Sequence, residues 1–164
     1  QRLLEQLPDK AGTPPIALHP YATHPDKAWK EAYWRQLMEL FESRGIPWIV
    51  IGRGSCMEGI PASRNFTNRT SLRETCALLK SSSLLITGDS GPMHLAGAVG
   101  TPVLALFGPT TEEWGFFPAG PKDRVLESQL DCRPCTLHGK KHCDRNHACM
   151  QSITPEQVMR ALDE

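Results

Sequence analysis

Residues 83–94 read SLLITGDSGPMH and predict a strand, a turn and the start of a helix in direct succession. The run from Ser83 to Thr87 is mostly apolar and predicts a strand buried on both faces of a sheet. Gly88 follows at once, and small and apolar residues from Met93 to Val99 predict a short helix that packs closely against that sheet. The stretch therefore joins a buried strand to a helix through one short polar turn.

Strands and helices alternate along the rest of the chain. Apolar runs predict further strands at 15–20, 48–52 and 102–107, and a short edge strand at Val125 and Leu126. Periodicity and capping signals predict helices over 29–44, after the capping box at 71–74, and after Thr154. Continuous apolar strands that alternate with helices predict an α/β fold with a doubly wound, Rossmann-like parallel sheet.

The size and charge of the chain exclude several classes of protein. It has 164 residues, enough for one domain, and its 18 basic residues balance 18 acidic ones. We therefore expect no nucleic-acid partner. No apolar run approaches the roughly 20 residues that span a bilayer.

We interpret 1–14 as a linker or terminal helix and 15–164 as one domain. Because the chain starts at Gln1 and its first methionine is Met38, we expect an excised domain or a processed fragment.

The turn at 89–94 is the strongest candidate for a binding site. Ligands of open α/β sheets bind beyond the carboxyl ends of the strands, and free N–H groups at a helix start suit a phosphate. Gly91 would let the backbone approach an anion, and His94 would donate to a phosphate oxygen. The alternative is that Asp89 or Ser90 merely caps the helix while His94 packs in the core.

Three other strand ends carry candidate residues. In the loop after the first strand, Lys27 would neutralise a diphosphate, unless it is an ordinary surface lysine. Glu58 follows Gly52-x-Gly54 and would accept hydrogen bonds from ribose hydroxyls, although the spacing does not continue as GxGxxG, which makes NAD binding a poor interpretation. The turn at 107–110 either folds back over the same crevice or is a plain turn.

A cysteine-rich loop is predicted at 131–150. Cys132, Cys135, Cys143 and Cys149 lie there at short spacing, together with His138, His142 and His147. Four thiols at this spacing in a reducing compartment suggest a structural zinc ion. Two disulfides, or reduced cysteines that pack a loop, are the alternatives.

Taken together, these segments resemble the C-terminal domain of glycosyltransferase family 9, the lipopolysaccharide heptosyltransferases. The resemblance runs from about Pro15 to Leu162 and rests on four segments: LHPYATHPDKAW at 18–29, DSGPMHLA at 89–96, GTPVLALFGPT at 100–110, and the cysteine-rich tail with ITPE at 153–156. It implies the C-terminal half of a GT-B enzyme, with two Rossmann-like domains and the active site between them. The domain at 15–164 would then bind the sugar nucleotide.

The resemblance also implies a reaction and a set of donor-binding residues. An inverting, metal-independent enzyme would move heptose from ADP-heptose to the lipopolysaccharide inner core, which the N-terminal domain would hold. The implied donor contacts are Thr23, Lys27, Glu58, Asp89, Ser90, Gly91 and His94. No catalytic base is assigned here, because the family's base lies in the N-terminal domain, so we expect the isolated chain to bind donor without turnover.

Two rival functions remain open from the sequence. One is a related GT-B glycosyltransferase that uses another sugar nucleotide, and the other is a non-catalytic nucleotide-binding module. The expected location is the cytoplasm, with peripheral attachment to the inner membrane as an open alternative. No cofactor is expected for catalysis, and zinc, if bound, would be structural.

Overall fold

Five parallel strands form one sheet in this computed structural model, which describes residue 7, residues 12–137 and residues 143–164. The order across the sheet is β2-β1-β3-β4-β5. The strands are β1 (Ile16–His19), β2 (Trp48–Val50), β3 (Leu84–Gly88), β4 (Val103–Phe107) and β5 (Arg124–Glu127). In this register, Leu18 lies opposite Val50 on one side and Ile86 on the other.

Helices cover both faces of the sheet. They are α1 (Glu31–Ser43), α2 (Leu72–Lys80), α3 (Gly91–Val99), α4 (Ala148–Gln151) and α5 (Pro155–Asp163), with 3₁₀ turns at Pro25–Lys27 and Glu112–Trp114. On one face, Leu18 packs in a buried cluster with Phe41 of α1 and Val158 of α5. On the other face, Ala17 packs in a cluster with Leu78 of α2 and Met93 of α3. Successive residues of a strand point to opposite faces, so β1 supplies both layers of the core.

The direction of winding reverses at β1. The chain passes from β1 to β2 on one side, and then returns to place β3 on the other side of β1. The connection from β1 to β2 runs through α1 on one face of the sheet, and the connection from β3 to β4 runs through α3 on the other face. A crevice therefore opens between the carboxyl ends of β1 and β3. His19 and Gly88 end these two strands, so the fold places its natural ligand site between them.

The predicted doubly wound parallel sheet is confirmed, as is the edge strand at Val125 and Leu126, which lies within β5. The helix predicted over 29–44 begins two residues later, at Glu31, and the helix predicted from Met93 begins earlier, at Gly91. The four-residue α4 was not predicted, because a helix of little more than one turn is too short to show a periodic pattern of apolar residues. Most of the predicted linker or terminal helix at 1–14 lies outside the described residues. Among the described helices, none combines the length and apolar character needed to cross a membrane.

Reciprocal capping boxes begin two of the helices, as the sequence predicted. At α5, Thr154 accepts from the Gln157 amide at 3.3 Å, and the Gln157 side chain accepts from the Thr154 amide at 2.7 Å. Ser71 and Glu74 form the equivalent box at α2. Each box satisfies two backbone N–H groups that would otherwise face solvent or the core unpaired.

We expect Thr154→Ala to lower the free energy of unfolding by about 1 kcal/mol, because it removes one side of the α5 capping box. Urea denaturation followed by circular dichroism measures this. Thr111→Ala is the matched control, because Thr111 precedes the Glu112–Trp114 turn without a side-chain capping bond. Equal losses for the two variants would contradict the capping contribution.

Candidate functional site

A polar network joins the ends of β1 and β3 across the crevice. The His19 Nδ1 atom lies 3.0 Å from Thr87 Oγ1 and 3.3 Å from Ser90 Oγ, and the two hydroxyls lie 2.9 Å apart. Burial lowers the pKa of His19 from 6.5 to about 4. His19 is therefore neutral at physiological pH, and it orients Ser90 without adding positive charge to the site.

Beside this network, Lys27 and Asp89 form an ion pair. Lys27 Nζ lies 2.5 Å from Asp89 Oδ2, and the two side chains are only 11% and 12% exposed. Thr110 Oγ1 lies 3.5 Å from the same carboxylate oxygen. Lys27 follows β1, Asp89 follows β3 and Thr110 follows β4, so the crevice brings together three loops that are distant in the sequence. Lys27 is therefore not an ordinary surface lysine, which was the alternative that the sequence left open.

A cavity of about 540 Å³ adjoins the turn between β3 and α3. Its volume falls within the range of about 300–1,000 Å³ that is usual for small-molecule sites. The cavity is lined by His19, Tyr21, Ala22, Thr23, Gly52, Arg53, Thr70, Leu72, Thr75, Ser90, Gly91, Pro92 and Leu95. Leu72 is 68% exposed, which is unusual for a large apolar side chain and leaves it available to a ligand.

Two glycines after β2 make room for the rings that line this cavity. A Cβ atom on Gly52 would lie 2.4 Å from the His19 ring, and Gly52 has a φ of +116° that side chains disfavour. A Cβ atom on Gly54 would lie 2.3 Å from the Tyr21 ring. The Gly52-x-Gly54 pattern therefore serves the packing of His19 and Tyr21, which the sequence alone did not suggest.

The start of α3 is not capped by the side chains that the alternative interpretation required. Ser90 occupies the N-cap position but makes no side-chain capping bond, and Asp89 is paired with Lys27. His94 is exposed in the first turn of α3, so it does not pack in the core. The alternative is thus wrong on both points: neither Asp89 nor Ser90 caps the helix with its side chain, and His94 is not in the core.

The predicted donor residues fall into four different places. Thr23, Ser90 and Gly91 line the cavity, and Lys27 and Asp89 pair beside it. His94 lies in the same turn of helix but is not among the lining residues. Glu58 is exposed, and its backbone carbonyl accepts from Arg35 at 2.7 Å, beside a second cavity lined by Arg35 and Gly59. Its role toward ribose stays a prediction.

The sequence did not single out Arg133, which shapes the turn after β4. Its side chain is 4% exposed, and its guanidinium donates to the carbonyls of Gly108 and Thr110 and pairs with Glu127 at 2.6 Å. Arg133 follows Cys132 within the cysteine-rich loop, and no local pattern reveals which distant carbonyls a single arginine will meet. The turn at 107–110 does fold over the crevice, because Thr110 reaches Asp89.

None of the six cysteines forms a disulfide. Burial raises the pKa of the Cys149 thiol, and the nearby Cys135 and Cys143 add to the rise. Within residues 12–137 and 143–164, no group of three or more Cys, His, Asp and Glu side chains is arranged to hold a metal ion. His138 and His142 lie outside the described residues, and zinc at Cys132, Cys135, Cys143 and Cys149 stays a prediction.

Two glycosyltransferases are among the solved structures to which this chain is similar. The Escherichia coli ADP-heptose lps heptosyltransferase II matches 99% of this chain and 49% of its own, with a TM-score of 0.73 and 23% identity. The dodecameric, iron-containing glycosyltransferase TibC of enterotoxigenic E. coli matches 96% of this chain and 46% of its own, with a TM-score of 0.73 and 23% identity. The chain therefore has the fold of one domain of a GT-B glycosyltransferase.

The chain belongs to glycosyltransferase family 9 (heptosyltransferase), whose family model matches residues 1–144. Lipopolysaccharide heptosyltransferase 1 of Pseudomonas aeruginosa is 35% identical over 153 residues, covering 85% of this chain and 40% of that protein. Lipooligosaccharide heptosyltransferase 2 of Campylobacter jejuni is 33% identical over 101 residues, covering 58% of this chain and 30% of that protein. The chain thus spans less than half the length of these relatives.

The burial of His19 predicts a pH dependence of stability. Its pKa is about 4 in the folded chain and 6.5 in a model peptide, so between these values only the unfolded chain binds the proton. We therefore expect this residue to remove roughly 2 kcal/mol from the free energy of unfolding between about pH 7.5 and pH 5. Above about pH 7.5 the contribution is constant, because the histidine is then unprotonated in both the folded and the unfolded chain.

Urea denaturation at the two pH values measures this loss. His19→Gln should remove that part of the pH dependence, whereas His94→Gln, which changes an exposed histidine, should retain it. An unchanged dependence in His19→Gln would show that the buried imidazole is not responsible.

The cysteine spacing predicts about one zinc ion per chain. Metal analysis of protein purified without a histidine tag measures this, and Cys135→Ser should reduce the metal content. A folded protein free of metal would contradict the prediction.

Proposed function

We propose that this chain is the donor-binding half of a heptosyltransferase, and that it holds the diphosphate of ADP-heptose in the crevice between β1 and β3. The observation that carries the proposal is the shielded pair of Lys27 and Asp89, which adjoins the start of α3 and a cavity of about 540 Å³. A candidate anion site and a ligand-sized cavity would then lie side by side. A sugar nucleotide needs both.

Lys27 supplies a positive charge beside the start of α3 in this proposal. An ammonium group has three donors, and one contact to Asp89 leaves two for phosphate oxygens. At the start of α3, Pro92 has no N–H group and the Met93 amide donates to the Ser90 carbonyl at 3.2 Å. Gly91 therefore offers the first amide of the helix together with the positive end of its dipole. Neutral His19 adds hydrogen bonding but no charge.

The remaining predicted contacts are assigned by their places around the cavity. Thr23 and Ser90 would donate hydroxyl protons to the phosphates, and exposed His94 would reach the same anion from the first turn of α3. Asp89 would accept from a heptose hydroxyl or keep Lys27 in place. The apolar wall of Leu72, Pro92 and Leu95 would take the base.

Two solved relatives support ADP as the nucleotide. One is an E. coli heptosyltransferase determined with ADP, at 22% identity and a TM-score of 0.69. The other is TibC, determined in complex with ADP-D-beta-D-heptose. These complexes support an ADP-sugar donor for the present chain. The apolar wall of its cavity would contact the adenine base.

The proposed reaction inverts the anomeric centre and transfers heptose to the lipopolysaccharide inner core. The leaving ADP gains negative charge, which Lys27 and the start of α3 would stabilise without a metal ion. The base that deprotonates the acceptor hydroxyl is assigned to an N-terminal domain, which would also hold the acceptor. The chain alone should therefore bind donor without transferring heptose. The enzyme would work in the cytoplasm, at or near the inner membrane.

Isothermal titration with ADP, UDP and GDP tests the choice of nucleotide. We expect ADP to bind at least tenfold more tightly than UDP or GDP, which corresponds to about 1.4 kcal/mol or more. Tighter binding of UDP or GDP would favour a glycosyltransferase with another sugar nucleotide. Absence of binding by all three would favour a non-catalytic role and overturn the proposal.

We expect Lys27→Ala to weaken ADP binding by about 1–3 kcal/mol, because a charge-assisted contact to the diphosphate is lost. Lys122→Ala is the matched control, since Lys122 is exposed and does not line the cavity. Thermal unfolding of both variants checks that the fold is retained. Equal ADP affinities for the two variants would remove Lys27 from the site.

A further inference from the structure

A buried carboxylate lies directly beside Lys27 in the sequence. Asp26 is 9% exposed, and its Oδ1 atom lies 2.6 Å from Nε2 of His147. Its Oδ2 atom has no hydrogen-bond partner among the described residues, although His24 Nδ1 lies 3.3 Å away. Because a buried carboxylate without a donor is costly, the contact with His147 is what compensates for the burial of Asp26.

His147 is held rigidly at the other end of this contact. It is the N-cap residue of α4, in the left-handed conformation with a φ of +56°, and its carbonyl accepts from the Met150 and Gln151 amides at 3.0 Å. Its own amide donates to Cys143 Sγ at 3.2 Å. These bonds fix the backbone from which the imidazole extends toward Asp26.

Helix α4 is in turn anchored on the turn after β4. A Cβ atom on Gly108 would lie 2.4 Å from Met150 Sδ and 3.2 Å from Cys149 Sγ, so the helix lies directly against the glycine backbone. Both cysteine and methionine are buried in the core. His147 therefore connects a firmly packed part of the domain to the loop that carries Lys27.

The loop itself has little internal support. Its 3₁₀ turn is three residues long. Two backbone hydrogen bonds close it, from the Lys27 amide to the His24 carbonyl and from the Ala28 amide to the Pro25 carbonyl, both at 3.0 Å. The Asp26 amide also donates to His24 Nδ1, at a longer 3.4 Å. Such short turns are rarely stable alone. The position of Lys27 therefore depends on contacts made by its neighbours.

We propose that His147 is a positioning residue for the donor site: through Asp26 it holds the Pro25–Lys27 turn so that Lys27 faces Asp89 and the diphosphate. The contact between Lys27 and the diphosphate rests on the proposed function. The link between His147 and the turn does not. It assigns a role to the cysteine-rich loop, which supports the loop that binds donor.

Affinities for ADP test the effect on the site. His147→Ala should weaken ADP binding roughly 5- to 20-fold, because Lys27 loses its orientation while keeping its charge. His147→Gln, whose Nε2 amide can still donate to Asp26, should restore most of the affinity. Arg145→Ala is the control: it removes an exposed ion pair with Asp131 in the same loop, and should leave ADP affinity unchanged.

A double substitution separates positioning from general destabilisation. If His147 acts through Lys27, then His147→Ala should have little further effect on ADP affinity once Lys27→Ala is present. Independent, multiplying losses would overturn the inference. If His147→Ala fails to fold, Asp26→Ala opens the same contact from the other side, and the same dependence on Lys27 is expected.

Hydrogen exchange tests the link without any nucleotide. In His147→Ala the Lys27 and Ala28 amides should exchange at least tenfold faster than in the unsubstituted chain, and Arg145→Ala should leave them unchanged. Unchanged exchange in His147→Ala overturns the inference. Should the unsubstituted chain fail to bind ADP, the proposed function falls, and the exchange rates still decide whether His147 holds the turn.

Discussion

The ion pair between Lys27 and Asp89 is the contact around which the functional end of this domain is organised. Two opposite charges lie 2.5 Å apart, and each side chain is only about one-tenth exposed. Each charge therefore compensates the free energy that the other loses when it is removed from water. That arrangement exists only because β1 and β3 are neighbours in the sheet. A sheet wound in one direction would place the loops after these strands apart, and neither charge would be compensated.

The cysteine-rich loop supports this pair from both sides. His147 contacts Asp26, the neighbour of Lys27, while Arg133 holds the carbonyls of the turn that carries Thr110. Loops that bind ligands are usually the least stable parts of a fold, and the loop that carries Lys27 contains only a single three-residue 3₁₀ turn. Contacts from a third segment supply the order that the loops lack. His147 and Arg133 therefore give this loop a supporting role through polar contacts.

Much of the architecture could be predicted because it follows from local patterns. Apolar runs without alternation marked the strands, and Ser71 and Thr154 marked helix starts with the hydrogen bonds that the structure shows. The short helix α4 escaped prediction because it follows Asn146 and His147, two residues with positive φ that no periodicity reveals. The site was predicted in part: Ser90, Gly91 and Thr23 line the cavity, whereas Glu58 lies toward a second one. The position of Glu58 depends on the path of the loop after β2, and the Gly52-x-Gly54 pattern does not specify that path.

The class of fold, the position of the turn between β3 and α3 and the family resemblance all follow from the sequence alone, because hydrophobic periodicity, capping and motif spacing are local properties. Only the tertiary structure decided that Lys27 pairs with Asp89, that His19 is buried and neutral, and that His147 reaches Asp26. Each of these joins residues more than 60 positions apart in the chain or depends on burial within the finished core. Contacts of that kind arise from the order in which strands pack, since the charges and hydrogen-bond donors meet only after the sheet has formed.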